Sequence, residues 1–104
     1  MVRLHNSIGR IENLLSFSNN KDERAAIAQI LKRLGQDHVS ALKMYKTKKI
    51  KAINIKAFEI VKGDLRIFYS YKGEDLVILH IARKQKNKTE QKDLKLVEQR
   101  AKSI

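Results

Sequence analysis

The 104-residue sequence contains no cysteine, no proline and no tryptophan, and it has only four glycines. Without cysteine there is no disulfide framework, no thiol nucleophile and no zinc site of the usual cysteine-containing kinds. No apolar run approaches the roughly 18 residues that a membrane-spanning helix needs, and residues 1–6 lack the apolar stretch of a secretory signal. These absences predict a cytoplasmic protein that does not bind a membrane.

Positive charge is what the sequence has in excess. Its 23 lysines and arginines outnumber 11 aspartates and glutamates, which gives a formal net charge of +12 at pH 7. A field of this sign attracts polyanions, because each neutralised phosphate releases counterions. The alternative interpretation is a solvated lysine-rich surface without a partner. We expect a nucleic acid or the ribosome as the partner of a single domain, residues 1–104.

The first half of the sequence has helical spacing. The apolar residues of the two helical faces are Ile8, Ile11, Leu14 and Leu15 in the first and Ile27, Ile30, Leu31 and Leu34 in the second. Asn20 followed by Glu23 has the form of a capping box, and Gly35 stands at the expected C-terminal cap. The pattern predicts an N-terminal helical hairpin. Residues 36–51 fit either a third short helix or an irregular loop.

The second half alternates with the period of β-strands. Strands are predicted over residues 53–60, 65–71 and 76–82, with Gly63 and Gly73 in the two connecting turns. Thr89 is the predicted N-cap of a last amphipathic helix. The fold class is therefore α+β, with an N-terminal helical hairpin packed on an antiparallel β-meander and a C-terminal helix.

This order of elements, together with three segments, resembles the RelE/ParE toxin superfamily, most closely its HigB and phage-derived gp49-like branch. The segments are Ala57-Phe58-Glu59-Ile60, Gly63-Asp64-Leu65-Arg66-Ile67-Phe68-Tyr69 and Leu76-Val77-Ile78-Leu79-His80-Ile81-Ala82-Arg83-Lys84. The resemblance covers residues 24–102 and is strongest over 57–102. Most members open with a β-strand before the first helix, and no such strand is obvious in this sequence.

The resemblance implies a RelE-like fold and the toxin of a type II toxin–antitoxin system. The implied activity is ribosome-dependent mRNA cleavage without cofactor or metal, with mRNA and the ribosome as partners. A cognate antitoxin would hold the toxin in a hetero-oligomer. Two alternatives remain open: a ParE-like inhibitor of DNA gyrase on the same fold, and a non-catalytic basic module that binds nucleic acid or the ribosome.

RNA cleavage through the 2′-hydroxyl needs a proton acceptor, a cation beside the phosphorane and a proton donor. The resemblance implies that basic residues of the sheet meet this need. Arg66 would grip the scissile phosphate; the alternative role is an exposed sheet arginine paired with Glu59. His80 is a candidate acid or base. Arg83 and Lys84 lie where the family places phosphate-gripping residues, and we expect them to converge with Arg66 on one phosphate.

Further lysines form clusters on either side of these candidates. The lysines that we expect to contact RNA or the ribosome are Lys46, Lys48, Lys49, Lys51 and Lys56 before the strands and Lys86 and Lys88 after them. Their alternative role is that of a solvated loop and tail. No pattern in the sequence indicates a metal-binding residue.

Overall fold

The computed structural model describes residues 1–84 and 90–104. In chain order its elements are β1 (Val2–Leu4), α1 (Ile11–Leu15), α2 (Lys21–Gln36), α3 (His38–Leu42), β2 (Lys46–Lys49), β3 (Phe58–Lys62), β4 (Leu65–Lys72), β5 (Asp75–Arg83) and α4 (Gln91–Lys102). The strands form one five-stranded sheet in the order β1-β5-β4-β3-β2. The α+β class is confirmed, and the C-terminal helix is present.

The β-meander consists of β3, β4 and β5, paired antiparallel through two-residue turns. Lys62 pairs with Leu65 at the first turn and Lys72 with Asp75 at the second. The first turn residue is Gly63 or Gly73, with φ of 59° and 61°. This left-handed conformation costs glycine little and matches the twist of the strands. Both turns lie where the sequence predicts them.

The predicted N-terminal helical hairpin is wrong, because a strand comes first. β1 pairs parallel with β5, with Val2 opposite Leu76 and Leu4 opposite Ile78. α1 is a short helix of five residues. Three residues are too few to show an alternating pattern, and the partner strand lies near the other end of the chain. Local periodicity therefore could not reveal β1.

The cap of α2 is confirmed at its start and corrected at its end. Asn20 Oδ1 accepts a hydrogen bond from the Glu23 N–H at 3.0 Å. Gly35, however, lies inside the helix, which runs to Gln36. The helix ends at Asp37, whose carboxylate accepts from the Ser40 N–H at 3.3 Å and caps α3. An aspartate that starts the next helix thus replaces the expected glycine cap.

The chain between α3 and β3 departs most from the prediction. Lys46–Lys49 form an edge strand where a short helix or a loop was expected. The predicted strand over residues 53–60 begins only at Phe58. The preceding residues form a loop that the Ile50 N–H closes by donating to Ala57 O at 2.9 Å. Four residues that include three lysines have little intrinsic preference for a strand, so pairing with β3 decides their conformation.

The sheet has a core on each face. We call the side packed on α2 the α2 face; its buried residues include Ile27 and Ile30 of the helix and Ile67 of β4. The other side, the α4 face, buries Phe68 of β4 against Val97 of α4. Thr89, the predicted N-cap of α4, lies outside the described residues, and Glu90 directly precedes the helix. Within the described ranges no helix combines the length and hydrophobicity needed to cross a bilayer.

Candidate nucleic-acid site

Five exposed lysines follow one edge of the sheet. We call them the lysine edge, and they are Lys46, Lys48 and Lys49 of β2 together with Lys51 and Lys56 of the loop that follows. No carboxylate of the described residues lies within ion-pair distance of any of the five. Lys49, Lys51 and Lys56 also line a shallow cavity of about 450 Å³ with isoleucine side chains between them. This surface is positive and accessible.

Arg66 lies on the α4 face and is buried. Only 9% of its side chain is exposed, and Nη1 donates to Gly63 O at 2.7 Å and to Leu65 O at 2.9 Å. Its Nε lies 3.8 Å from Glu59 Oε1, too far for a hydrogen bond, and is a buried donor without a partner within the described part of the chain. The ion pair with Glu59 is therefore present, and Arg66 is closed to a phosphate in this structure.

Arg83 lies on the α2 face, between two acidic residues. Its guanidinium donates to Glu23 Oε1 at 2.6 Å and Oε2 at 3.0 Å, and to Asp64 Oδ1 at 3.0 Å. It also covers the ring of Phe17, 5.3 Å from the centroid. The Arg83 hydrogen bonds lower the pKa of Glu23 to about 2. Arg83 thus joins α2 to the turn before β4.

The predicted convergence of Arg66 with Arg83 and Lys84 on one phosphate is therefore wrong, because the arginines lie on opposite faces. Ala82, opposite Arg66, belongs to the α4-face core, and Leu65, opposite Arg83, belongs to the α2-face core. Lys84 directly follows β5, and its backbone N–H donates to Asp64 O at 2.7 Å. Lys86 and Lys88 lie outside the described residues.

A β-bulge in β5 causes this separation. Phe68 pairs with His80 and Tyr69 with Ile78, so Leu79 has no partner. An unpaired residue reverses the alternation of side chains that follow it. Without the bulge, Arg83 would share a face with Leu79 and therefore with Arg66. With the bulge, His80 moves to the α4 face.

His80 is held on the α4 face by two neighbours. Its Nε2 and Asp93 Oδ1 of α4 are 2.8 Å apart, and its ring stacks on Phe68 with centroids 5.9 Å apart. Burial lowers the pKa of His80, and the hydrogen bond that Nε2–H donates to Asp93 offsets part of that effect. The imidazole is therefore neutral at pH 7. A neutral ring that donates Nε2–H to a carboxylate keeps Nδ1 as a proton acceptor.

Asp93 and Arg100 were not predicted as parts of a site. Asp93 lies in the first turn of α4 and Arg100 in the last, where their charges suit the helix dipole. In the structure both approach β5: Asp93 at His80, and Arg100 by donating from Nη1 to Leu79 O at 2.7 Å. Their signal in the sequence was a spacing of seven residues, which places them on one side of the helix beside Val97. Within the described ranges, no group of three acidic, histidine or cysteine residues could hold a metal ion.

Taken together, the fold and these surfaces define a basic α+β protein with an exposed polycationic edge. A family model described as "Phage derived protein Gp49-like (DUF891)" matches residues 13–102. The chain belongs to this family, which is RelE/toxin-like and is associated with toxin–antitoxin systems. The match does not single out the HigB branch. No curated protein and no solved structure matches the chain.

Proposed function

We propose that this protein is the toxin of a type II toxin–antitoxin system and that it cleaves mRNA on the cytoplasmic ribosome. The observation that supports this function best is the lysine edge, because its five cations are exposed and have no carboxylate partner within the described residues. On such a surface, each phosphate that a lysine neutralises adds to the affinity for RNA, because condensed counterions are released. Family membership favours a toxin over a general nucleic-acid binder.

The chemistry we propose is cleavage by the RNA itself. The 2′-oxygen attacks the adjacent phosphorus, the bond to the 5′-oxygen breaks, and the products are a 2′,3′-cyclic phosphate and a 5′-hydroxyl. One group must take the 2′ proton and another must protonate the leaving oxygen. The neutral ring of His80 suits the first role. Lys84 remains a proposed phosphate contact, whereas Arg66 is buried and Arg83 is bound by carboxylates.

An antitoxin is the protein partner to which the family association points. We propose that its acidic segment covers the lysine edge, because β2 is an edge strand without a neighbour on its outer side in the described sheet. An unpaired edge offers backbone hydrogen bonds to an added strand. The lysines of β2 disfavour pairing with a strand that carries no negative charge. Release of that segment would expose the surface that binds RNA.

Controlled expression in bacteria tests the function. We expect translation to stop and mRNA 5′ ends to appear within codons that ribosomes occupy. DNA breaks with an SOS response and intact mRNA would overturn the proposal in favour of gyrase inhibition. Salt-sensitive ribosome binding without new 5′ ends would overturn it in favour of a non-catalytic module.

A lysine-to-alanine triple variant tests whether the lysine edge carries the binding. Replacing Lys46, Lys48 and Lys49 should lower the salt dependence of RNA binding by about 2 to 3 in slope, since each phosphate contact contributes about 0.7–0.9. Toxicity should fall with it. The matched control replaces three exposed lysines on the helices, Lys21, Lys32 and Lys95. If both variants lose binding equally, net charge rather than the lysine edge is responsible.

A further inference from the structure

A second polar cavity lies at the opposite side of the sheet from the lysine edge. It measures about 270 Å³ and is formed by β5, α4 and the segment around α1. Its polar lining includes His80, Arg100, Ser7 and Ser16. We call it the His80 cavity. It is far larger than the about 30 Å³ of one water molecule, and it is close to the lower limit of ordinary small-ligand sites.

Beyond Ile78, the strand behind this cavity has no neighbouring strand on its outer side within the described residues. β1 covers β5 only as far as Ile78, and the His5 N–H donates to Ile78 O at 2.9 Å as the last such contact. Lys84 N–H points to β4, so the backbone groups of Ile81 and Arg83 point to the other side. The cavity is therefore located where a strand would continue if β1 were longer.

The groups that face the cavity are suited to an anion. Arg100 commits Nη1 to Leu79 O, and a guanidinium has four further N–H donors. His80 commits Nε2 to Asp93, and its Nδ1 forms no hydrogen bond within the described residues. Asp93 lies behind the ring and does not line the cavity. The lining therefore has one positive charge and one neutral imidazole, and no carboxylate.

Apart from Asn13, the remaining wall is apolar. Ile8, Leu14, Phe17 and Ile81 all contribute to it. A free inorganic ion would use only the polar half of such a cavity. A phosphate that carries a sugar or a base would also cover the apolar half, which favours a nucleotide as the ligand.

We propose that the His80 cavity binds the phosphate group of a nucleotide, with Arg100 as the cation, His80 as the proton-exchanging group and Asp93 as the residue that positions His80. The phosphate site depends only on this geometry. Its use for the scissile phosphate of mRNA rests on the function proposed above. In that use, His80 Nδ1 takes the 2′ proton, Arg100 balances the charge of the phosphorane, and solvent water protonates the 5′-oxygen as its bond to phosphorus breaks.

Nuclear magnetic resonance of the His80 ring in the free, full-length chain tests the binding. The probes are inorganic phosphate and uridine 3′-monophosphate, which separate phosphate recognition from nucleotide recognition. We expect both to shift the His80 ring signals and to raise its pKa, because a nearby anion favours the imidazolium. The charged groups that face this ring from the described elements are Asp93 and Arg100, both on α4. The nucleotide should bind more tightly than the ion.

Variants of α4 identify the residues responsible. Arg100→Gln should weaken binding of the nucleotide about tenfold or more, since a lost hydrogen bond to a charged group has roughly that effect. Arg100→Lys keeps the charge and should restore part of the affinity, which controls for the contact to Leu79. Lys95→Ala removes a charge from an exposed position of the same helix and should leave affinity unchanged. Equal binding by Arg100→Gln and the parent protein would overturn the proposal.

Asp93→Asn tests the positioning role. The variant should lower the pKa of His80, since the carboxylate raises it, and move the acidic limb of the cleavage profile to lower pH while nucleotide affinity stays the same. An unchanged pKa would remove Asp93 from the proposal. Nucleotide binding at His80 without RNA cleavage in cells would support the phosphate site and overturn the proposed mRNA cleavage. RNA cleavage in cells with no response of the His80 ring would support the proposed function and overturn the phosphate site.

Discussion

The α2 face and the lysine edge of the sheet treat positive charge in different ways. On the α2 face, Arg83 is held by Glu23 and Asp64, so its charge is used inside the fold. At the β2 edge of the sheet, the lysine edge has exposed cations with no carboxylate in ion-pair distance among the described residues. Net charge alone therefore does not locate a binding surface. Only the cations without an internal partner are available to an external anion.

Arg66 lies on the α4 face, and it too is not available to an external anion. Its side chain and that of Glu59 are both more than nine-tenths buried. A buried ion pair contributes little net stability, but removing one partner leaves an uncompensated charge in the core. Arg66 therefore resembles Arg83 in being internal, even though it shares a face with His80.

The largest expected effect comes from breaking this buried pair. Arg66→Ala should lower the free energy of unfolding by about 3–5 kcal/mol, because Glu59 then remains buried without a partner. Urea denaturation followed by circular dichroism measures the change. The double variant Arg66→Met with Glu59→Leu removes both charges at similar volume and should recover most of the loss.

The double variant also separates structure from function. If the refolded double variant is as toxic as the parent, Arg66 has only a structural role. If it folds but is no longer toxic, Arg66 contacts RNA after a rearrangement. A loss below about 1 kcal/mol in Arg66→Ala would contradict the burial of the pair.

The second prediction concerns the α2 face. Glu23→Gln should lower the free energy of unfolding by about 1 kcal/mol, a modest value because the Arg83 side chain is 38% exposed and Asp64 remains bound to it. Toxicity should not change, because Glu23 belongs neither to the lysine edge nor to the lining of the His80 cavity. Lys21→Ala, at an exposed position of the same helix, is the matched control.

The same carboxylate predicts the behaviour of the fold in acid. The pKa of Glu23 is lowered to about 2 from its usual value of 4.5, mainly by the hydrogen bonds from Arg83. Its contribution is therefore fully present above pH 4.5 and disappears as the pH falls toward 2. Glu23→Gln should lack this part of the acid dependence. Identical acid profiles for the parent and the variant would show that Glu23 and Arg83 are not paired in solution.

The smallest effect on stability is expected at Gly35, which is exposed and belongs to neither core of the sheet. It sits in the interior of α2, and an added Cβ would meet no atom within 4 Å. Gly35→Ala should therefore raise stability by roughly 0.5–1 kcal/mol, measured as a higher midpoint of thermal unfolding. A glycine that capped the helix in a left-handed conformation would give the opposite sign. The variant also supplies a more stable background for substitutions on the α4 face.

Much of the local structure was predictable because it depends on near neighbours. The turns at Gly63 and Gly73 and the cap at Asn20 involve residues within three positions of one another. The helix at residues 91–102 shows its apolar stripe directly. The exposure of the lysine edge also follows from its composition. By contrast, β1 and β2 were missed, because each is a short edge strand whose conformation depends on a partner far away in the sequence.

What the amino-acid order settles here is the set of local elements, the excess of positive charge and the residues that carry it. What only the tertiary structure settles is the face on which His80 and Arg83 lie. The reason is the bulge at Leu79, which stands in an unbroken apolar run from Leu76 to Leu79. Where neighbouring residues are all apolar, the sequence does not show which of them face each side of the sheet. The pairing with β4 and the contacts of α4 therefore decide which side chains meet.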